Sequence, residues 1–263
     1  MKISIITAAK NAAATIRDTL LSVQSQSHAD VEHLIVDGCS TDATLAIVEQ
    51  HGARVATVVS ERDSGIYEAF NRGLAMASGE LIAFLNADDC YETHDVLARV
   101  AERFERGDID MLFGDVLLVR ADDLSAVVRY YSSGSFKPAR LARGFMPAHP
   151  ATFVRRSVYQ NCGGFNASYR IAGDFEWVAR VFRSTQARYA HLPEVLVRMR
   201  EGGLSTRGIR STMRITREIR RACHEQGIPT NYLKLLSRFP EKVLEYIARP
   251  APARSQISGG GVD

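Results

Sequence analysis

The run Leu81-Ile82-Ala83-Phe84-Leu85 holds no polar residue and stops at Asn86-Ala87-Asp88-Asp89. It has the length of a strand, and its lack of alternation calls for burial on both faces, as in the middle of a parallel sheet. Such a strand needs helices on both sides, which points to an α/β fold. In open sheets of that class ligands bind beyond the carboxyl ends of the strands. Two adjacent carboxylates there raise each other's pKa. A hard divalent cation, which chooses oxygen ligands, would relieve that strain. The same pair also suits a turn and N-cap ahead of a helix near Thr93 or His94, and both readings stand at this point.

The rest of the first half fits the same architecture. Strands are expected at about 2–7, 32–36, 55–59 and 80–85, with amphipathic helices at about 14–25, 42–51 and 66–77 between them. Alternation of this kind predicts a parallel sheet with right-handed crossovers. Further on, a helix is expected at 94–106, a strand at 111–113, and short, antiparallel strands at 116–119 and 126–131. Residues 132–150, rich in Gly, Ser, Pro and basic side chains, read as a loop. A strand at 152–154, a helix from Ser157 and a helix over 174–182 follow. The chain then reads as helical and basic over 206–226 and 230–248, with a glycine-rich, disordered end over 255–263.

Composition excludes several classes. Hydrophobic residues make up 46% of the 263, enough for a sizeable core. Cys39, Cys90, Cys162 and Cys223 form no CxxC or Cys/His cluster, so the expectation is free thiols in a reducing cytoplasm, without structural zinc or a disulfide framework. The chain enters a strand pattern at Ile3 with no leader-like segment before it, and no apolar run reaches bilayer length. Residues 205–263 carry 11 Lys and Arg against 5 Asp and Glu, whereas residues 1–204 carry 22 against 25. That asymmetry argues against nucleic acid as the partner of the core and for an anionic partner near the tail. No GxGxxG follows the first strand, and neither a P-loop nor a GxSxG elbow occurs, so hydride transfer, P-loop and α/β-hydrolase chemistry lose support.

Four other features lie at the ends of these elements. Asp37 closes the second strand in Val36-Asp37-Gly38-Cys39-Ser40-Thr41-Asp42, where it could accept from a nucleoside's ribose or base or form an Asp-Gly turn. The loop Ser60-Glu61-Arg62-Asp63-Ser64-Gly65-Ile66-Tyr67 opens a helix whose backbone N–H groups could meet phosphate, although a plain N-cap at Asp63 or Ser64 explains much of it. His149 in His149-Pro150-Ala151-Thr152 is either a structural histidine or a pocket residue. Asp174 in Gly173-Asp174-Phe175-Glu176-Trp177 is either a helix cap or a general base.

In this order and spacing, these segments resemble inverting glycosyltransferase family 2, which has the GT-A fold. The resemblance covers about residues 2–206. It rests on Ser4-Ile5-Ile6-Thr7 with Asn11, the 36–42 segment, Asp63-Ser64-Gly65-Ile66-Tyr67 with Asn71-Arg72-Gly73, and Gly79-Glu80. It continues through Asn86-Ala87-Asp88-Asp89, His149-Pro150-Ala151, Gly163-Gly164-Phe165, Asp174 and Gly202-Gly203-Leu204-Ser205-Thr206, and looks most like the bacterial exopolysaccharide, O-antigen and glycolipid subgroup.

The resemblance implies an α/β, mostly parallel GT-A sheet flanked by helices, and a metal-dependent transfer from a nucleotide-diphosphate sugar to a hydroxyl of a glycan or lipid-linked acceptor. It implies that Thr7, Asn11, Asp37, Asp63, Asn71 and Asp88 meet the nucleotide sugar. Asp88 and Asp89 would hold Mg²⁺ or Mn²⁺, and Asp174 would be the general base of a single inverting displacement. His149 and Trp177 would lie in the acceptor or substrate pocket. Asn86 stands where the family's first acid is usual, leaving the choice of ligand between Asp88 and Asp89. Gly38 and Lys10 stand where many members carry an acid and an aromatic residue, leaving a UDP-sugar or a GDP-sugar as donor.

The expected organisation is a catalytic domain over 1–205, with a nucleotide-sugar half at 1–90 and an acceptor half at 91–205, a basic helical extension over 206–250 and a disordered tail over 251–263. Arg210, Arg214, Arg217 and Arg221, spaced four, three and four apart, share a helix face, which reads either as a solvated charge stripe or as a face for anionic headgroups or a lipid pyrophosphate; the second reading implies a cytoplasmic enzyme peripheral to the cell membrane. Two competing functions remain. A sugar-nucleotide pyrophosphorylase would need a glycine-rich loop after the first strand, and residues 7–15 contain no glycine. A non-catalytic sugar-nucleotide-binding protein would not need Asp88, Asp89 and Asp174 together.

Overall fold

A computed structural model describes residues 1–202 and 208–244, with the side chains of 208–210 and 242–244 excepted. The glycine-rich segment at 203–206, the tail over 251–263 and the Arg210 side chain lie outside the described residues.

The first half alternates strands and helices: β1 (Ile3–Ala9), α1 (Ile16–Gln24), β2 (Val31–Asp37), α2 (Thr44–His51), β3 (Val55–Ser60), α3 (Ile66–Met76) and β4 (Leu81–Phe84). There follow β5 (Asp89–Tyr91), α4 (Val96–Glu105), β6 (Met111–Val119), β7 (Val127–Tyr131), β8 (Thr152–Arg155), α5 (Arg156–Cys162), α6 (Gly173–Ser184) and β9 (Tyr189–Arg200). The chain then forms α7 (Gly208–Glu225), α8 (Tyr232–Leu236) and α9 (Phe239–Leu244).

Among the described residues nine strands join one sheet in the order β3-β2-β1-β4-β8-β6-β9-β5, with β7 paired to β6. The first four pair in parallel, and β5, β7 and β8 run against the rest. The sheet is therefore mixed, with a parallel half of the kind the strand-helix alternation predicts. Leu81, Ala83 and Leu85 enter one core cluster, whereas Ile82 and Phe84 enter the other. That period-2 division between two apolar layers is why the run needs no polar residue.

Three differences from the sequence reading have physical causes. The strands expected at 111–113 and 116–119 are one, β6, whose pairing with β9 shifts register around Asp115. There, a Cβ on Gly114 would overlap the Leu196 side chain, so glycine permits the close approach. β9 escaped the pattern because Pro193, Glu194 and Arg198 interrupt its apolar run. The helix expected over 230–248 is broken into α8 and α9. Asn231 caps α8 by accepting from the Lys234 N–H at 2.9 Å, and Pro240, which has no N–H, sits in the first turn of α9.

α7 packs against α6 and buries Ile219, Ala222 and Cys223 in the cluster that holds Phe175 and Trp177. Between the two helices, the Glu218 carboxylate accepts from the N–H groups of Arg170, Ile171 and Ala172, the last two at 2.9 and 2.8 Å. The segment leading into α6 thus receives its hydrogen-bond acceptor from α7.

Candidate active site

The chain leaves β1 to one side to build β2 and β3, then returns to the other side as β4. This reversal makes the carboxyl ends of β1 and β4 the switch point of the parallel half, where such folds bind ligands. The Leu85 N–H donates to the Ile6 carbonyl at 3.1 Å, so the 86–89 turn starts beside Thr7 and the loop that follows β1.

The two acids of that turn have different surroundings. Asp88 is half-buried, and Asp89 is buried at 1% exposure as the first residue of β5. One Asp89 oxygen, Oδ2, accepts from the Asn86 amide at 2.9 Å, and the other, Oδ1, has no hydrogen-bond partner. Burial raises the Asp88 carboxyl above the ordinary range, and burial with the neighbouring Asp88 charge raises Asp89 well above it. Arg200, at the end of β9, donates to the Asp88 carbonyl at 3.0 Å and to the Asp18 carboxylate at 2.5 Å. A cation fits this place: two carboxyls are held at raised pKa, and one buried oxygen lacks a donor. Among the described residues no group of three or more His, Cys, Asp or Glu could hold a metal, and this turn itself presents two carboxylates. Mg²⁺ is often held by one or two carboxylates with phosphate oxygens and water completing its shell.

Asp174 lies in the first turn of α6. Its Oδ1 accepts from the Phe175 N–H at 2.8 Å and lies 3.3 Å from the Tyr67 hydroxyl, which also donates to the Ile171 carbonyl. Burial raises the Asp174 carboxyl, opposed by His149 and the donated bonds. Burial lowers the His149 imidazole, against the pull of Asp174. The His149 ring stacks on Phe84 with centroids 5.4 Å apart and also packs on Phe70 and Phe165. Asp174 is therefore not the helix cap: Ala172 holds that position, no side chain caps α6, and Asp174 is instead a buried first-turn carboxyl bonded to the next N–H.

A cleft of about 640 Å³ lies on the Ile171 side of this group, reaching it through Ile171, whose carbonyl accepts from Tyr67; Asp88, Asp89, His149 and Asp174 are not among its lining residues. It is lined by Lys10, Asp63, Gly65, Arg170 and Arg214, among others. Asp63 lies against Gly38, where a Cβ would collide with its carboxylate and come within 3.2 Å of the Lys10 side chain. The acid-for-glycine difference at 38 therefore makes room for Asp63. Gly65 has φ 153° with open space around its missing side chain, which leaves backbone free for close approach.

The structure engages several expected site residues elsewhere. Thr7 is fully buried, its hydroxyl 3.0 Å from His33 Nε2. Asp37 is fully buried and accepts from the Ser40 N–H and hydroxyl and, at 2.6 Å, from Ser60, which is the turn geometry. Asn71 exchanges both amide bonds with the Phe165 backbone, at 2.8 and 2.7 Å, and is a clamp between α3 and the loop after α5. Trp177 is 1% exposed, stacked on Tyr159, with its indole N–H donating to the Gly163 carbonyl at 2.9 Å; it is core, not pocket wall. Asn11 is exposed in the left-handed region at φ 50°, accepting from the Thr41 N–H at 2.9 Å, and joins the loops after β1 and β2.

Sequence reasoning missed Tyr67, Arg170 and Arg200 as site residues. Tyr67 stood inside a quoted motif, and its spacing from Asp63 put it on the opening turn of α3. Arg200 ends the strand that the sequence hid, so only the pairing of β5 with β9 reveals it.

The architecture is shared with solved structures. Residues 1–349 of S. aureus TarS in complex with UDP-GlcNAc superpose with a TM-score of 0.67 at 21% identity, covering 84% of this chain and 66% of that one. Against a longer TarS structure this chain spans 39% of the length. The mannosyltransferase PcManGT from Pyrobaculum calidifontis, in complex with GDP-Man and Mn²⁺, gives a TM-score of 0.64 at 19% identity, covering 88% and 65%. These likenesses define the class, the GT-A fold. In sequence, a PGL/p-HBAD biosynthesis glycosyltransferase of Mycobacterium tuberculosis is 34% identical over 209 residues, 77% of this chain and 78% of that one. The family model for glycosyl transferase family 2 matches residues 4–171, and the chain belongs to that family.

Proposed function

We propose that this chain is an inverting transferase that moves a sugar from a nucleotide-diphosphate sugar to a hydroxyl of a glycan or lipid-linked acceptor. The observation that carries the reading is Asp174. In a chain of this family, it is a carboxylate whose pKa is raised by burial and whose position is held by Tyr67 and its own helix backbone. A base must sit within hydrogen-bond reach of the proton it takes and titrate near the working pH, and burial moves Asp174 in that direction.

In the proposed step, Asp174 takes the acceptor's hydroxyl proton while that oxygen bonds to the anomeric carbon. The bond from that carbon to the diphosphate breaks on the opposite face, so one displacement inverts the configuration. Asp88, the more accessible acid, would ligate Mg²⁺ or Mn²⁺, with Asp89 behind it. The ion when bound would neutralise charge on the departing diphosphate. Asp63 and Lys10 would meet the donor in the cleft, with Arg170 and Arg214 adding positive charge for its phosphates. His149, packed in its aromatic nest, would shield the base from water on the acceptor side. Asn11 would hold the nucleoside-side loops. The reacting acids would all lie within 1–205, with α7 completing the cleft as one of its walls. A cytoplasmic position at the membrane is part of the same proposal, and no helix among the described residues is long and apolar enough to cross a bilayer.

The donor is a UDP-sugar or a GDP-sugar. Supporting this, TarS binds UDP-GlcNAc and PcManGT binds GDP-Man with Mn²⁺. Incubation with labelled donors and Mn²⁺ tests the reading. Release of nucleoside diphosphate with an inverted glycoside is expected. Sugar phosphate would instead indicate a pyrophosphorylase, and binding without turnover a sensor.

A further inference from the structure

α7 and α8 present a face that the reaction does not use. On α7, Thr216, Ile219, Ala222 and Cys223 turn into the core, while Met213, Arg217 and Arg220, spaced four and three apart, share the outer side. α8 is pinned by the buried Leu235 and shows its other apolar side chains to solvent. Leu233 is 79% exposed, Leu236 50%, Met213 49% and Tyr232 46%. The Arg220 guanidinium lies 4.8 Å from the Tyr232 ring centre, joining the two helices on this side.

The charge on this face is positive and unneutralised. Among the described residues, Arg217, Arg220 and Lys234 pair with no carboxylate. The stripe expected from sequence divides differently. Arg221 is engaged by Glu225, Ser168 and the Tyr169 ring, and Arg214 lines the cleft. Exposed leucines and a tyrosine, with cations on the same two helices, match an interface of hydrocarbon and anionic phosphate. A second copy on a two-fold axis would instead set these cations against themselves.

We propose that this face docks on a bilayer containing anionic lipid, with Leu233 and Leu236 entering the headgroup boundary and Arg217, Arg220 and Lys234 meeting lipid phosphates. Arg214 lies next to Met213 on the same helix, so docking brings the cleft close to the bilayer. On the transferase reading, this narrows the acceptor to a lipid-linked one. The docking itself is independent of that reading.

Sedimentation with vesicles tests it, using phosphatidylcholine alone and phosphatidylcholine mixed with phosphatidylglycerol. The protein should pellet with the mixed vesicles, less so at high salt, and not with phosphatidylcholine alone. A Leu233→Ser, Leu236→Ser variant should lose at least about tenfold in affinity, from the buried area removed. An Arg217→Gln, Arg220→Gln variant should lose about thirtyfold. Unchanged melting and unchanged release of nucleoside diphosphate from donor would show that both variants fold. Binding indifferent to phosphatidylglycerol or to both variants would overturn the proposal. So would a dimer, seen by sizing, that the leucine variant dissolves. Absence of turnover with vesicle binding retained would sink the transferase reading and leave the docking standing.

Discussion

The guanidinium of Arg200 donates to the backbone carbonyl of Asp88 at 3.0 Å while bridging to Asp18 on α1. It also donates to the Ala121 carbonyl at 3.2 Å, so one nearly buried side chain fixes the acid turn to two distant segments. Arg200→Ala should weaken Mn²⁺ binding in the presence of UDP or GDP by roughly ten- to a hundredfold, as for other groups that orient a metal ligand. Calorimetric titration of Mn²⁺ reads this directly. Unchanged affinity would remove Arg200 as a positioning residue.

Asp174→Asn separates catalysis from stability. Turnover should fall by about 10²–10⁴-fold, the range for a lost general base. Because burial raises the folded-state pKa, the ionised carboxylate destabilises the fold above that pKa, whereas below the unfolded value both states are protonated and the penalty vanishes. The variant should therefore melt higher than the parent at neutral pH, with the gain disappearing in acid. Melting curves across pH check the sign.

Tyr67→Phe keeps the ring packed on Phe70 and Phe165 but removes the hydroxyl beside Asp174. That hydroxyl favours the ionised carboxylate, so its loss should raise the Asp174 pKa. The acidic limb of kcat/KM against pH should move to higher pH. A limb that stays in place would show that Asp174 does not set it.

Asn71→Ala removes two bonds to the Phe165 backbone and leaves those groups unpaired, at about 1–3 kcal/mol each. The expected result is a clear loss of stability in urea unfolding. A donor-binding role would instead appear as weaker nucleotide binding with stability intact. Gly164→Ala should behave similarly, since a Cβ there overlaps the Asn71 amide oxygen.

The parallel half was legible from residues alone. β1 to β4 and α1 to α3 lie within two residues of the expected limits, because each strand keeps a local cluster of apolar and β-branched residues and three of the four close on Asp37, Ser60 or the Asn86 turn. The second half was less so. β9 is half-exposed over much of its length and carries charges, so its pattern resembles a loop, and its pairing with β6 is a long-range relation that periodicity does not contain. Candidate residues fared in the same way. Asp63, Asp88 and Asp174 sit at element ends facing the switch point or its neighbourhood. Thr7, Asp37, Asn71 and Trp177 have the right positions along the chain, but their polar atoms already have protein partners. Which partner a side chain takes depends on neighbours far away in sequence.

The Glu218 carboxylate that fills the three N–H groups ahead of α6 has a consequence for how this chain can be cut. Ending it after residue 205 would leave the turn that leads into the helix carrying Asp174 without its acceptor, and Phe175 and Trp177 without Ile219 and Cys223 beside them. Cleavage between β9 and α7 should therefore yield an inactive fragment with α6 frayed at its first turn, and adding back a peptide spanning α7 should rescue it in trans.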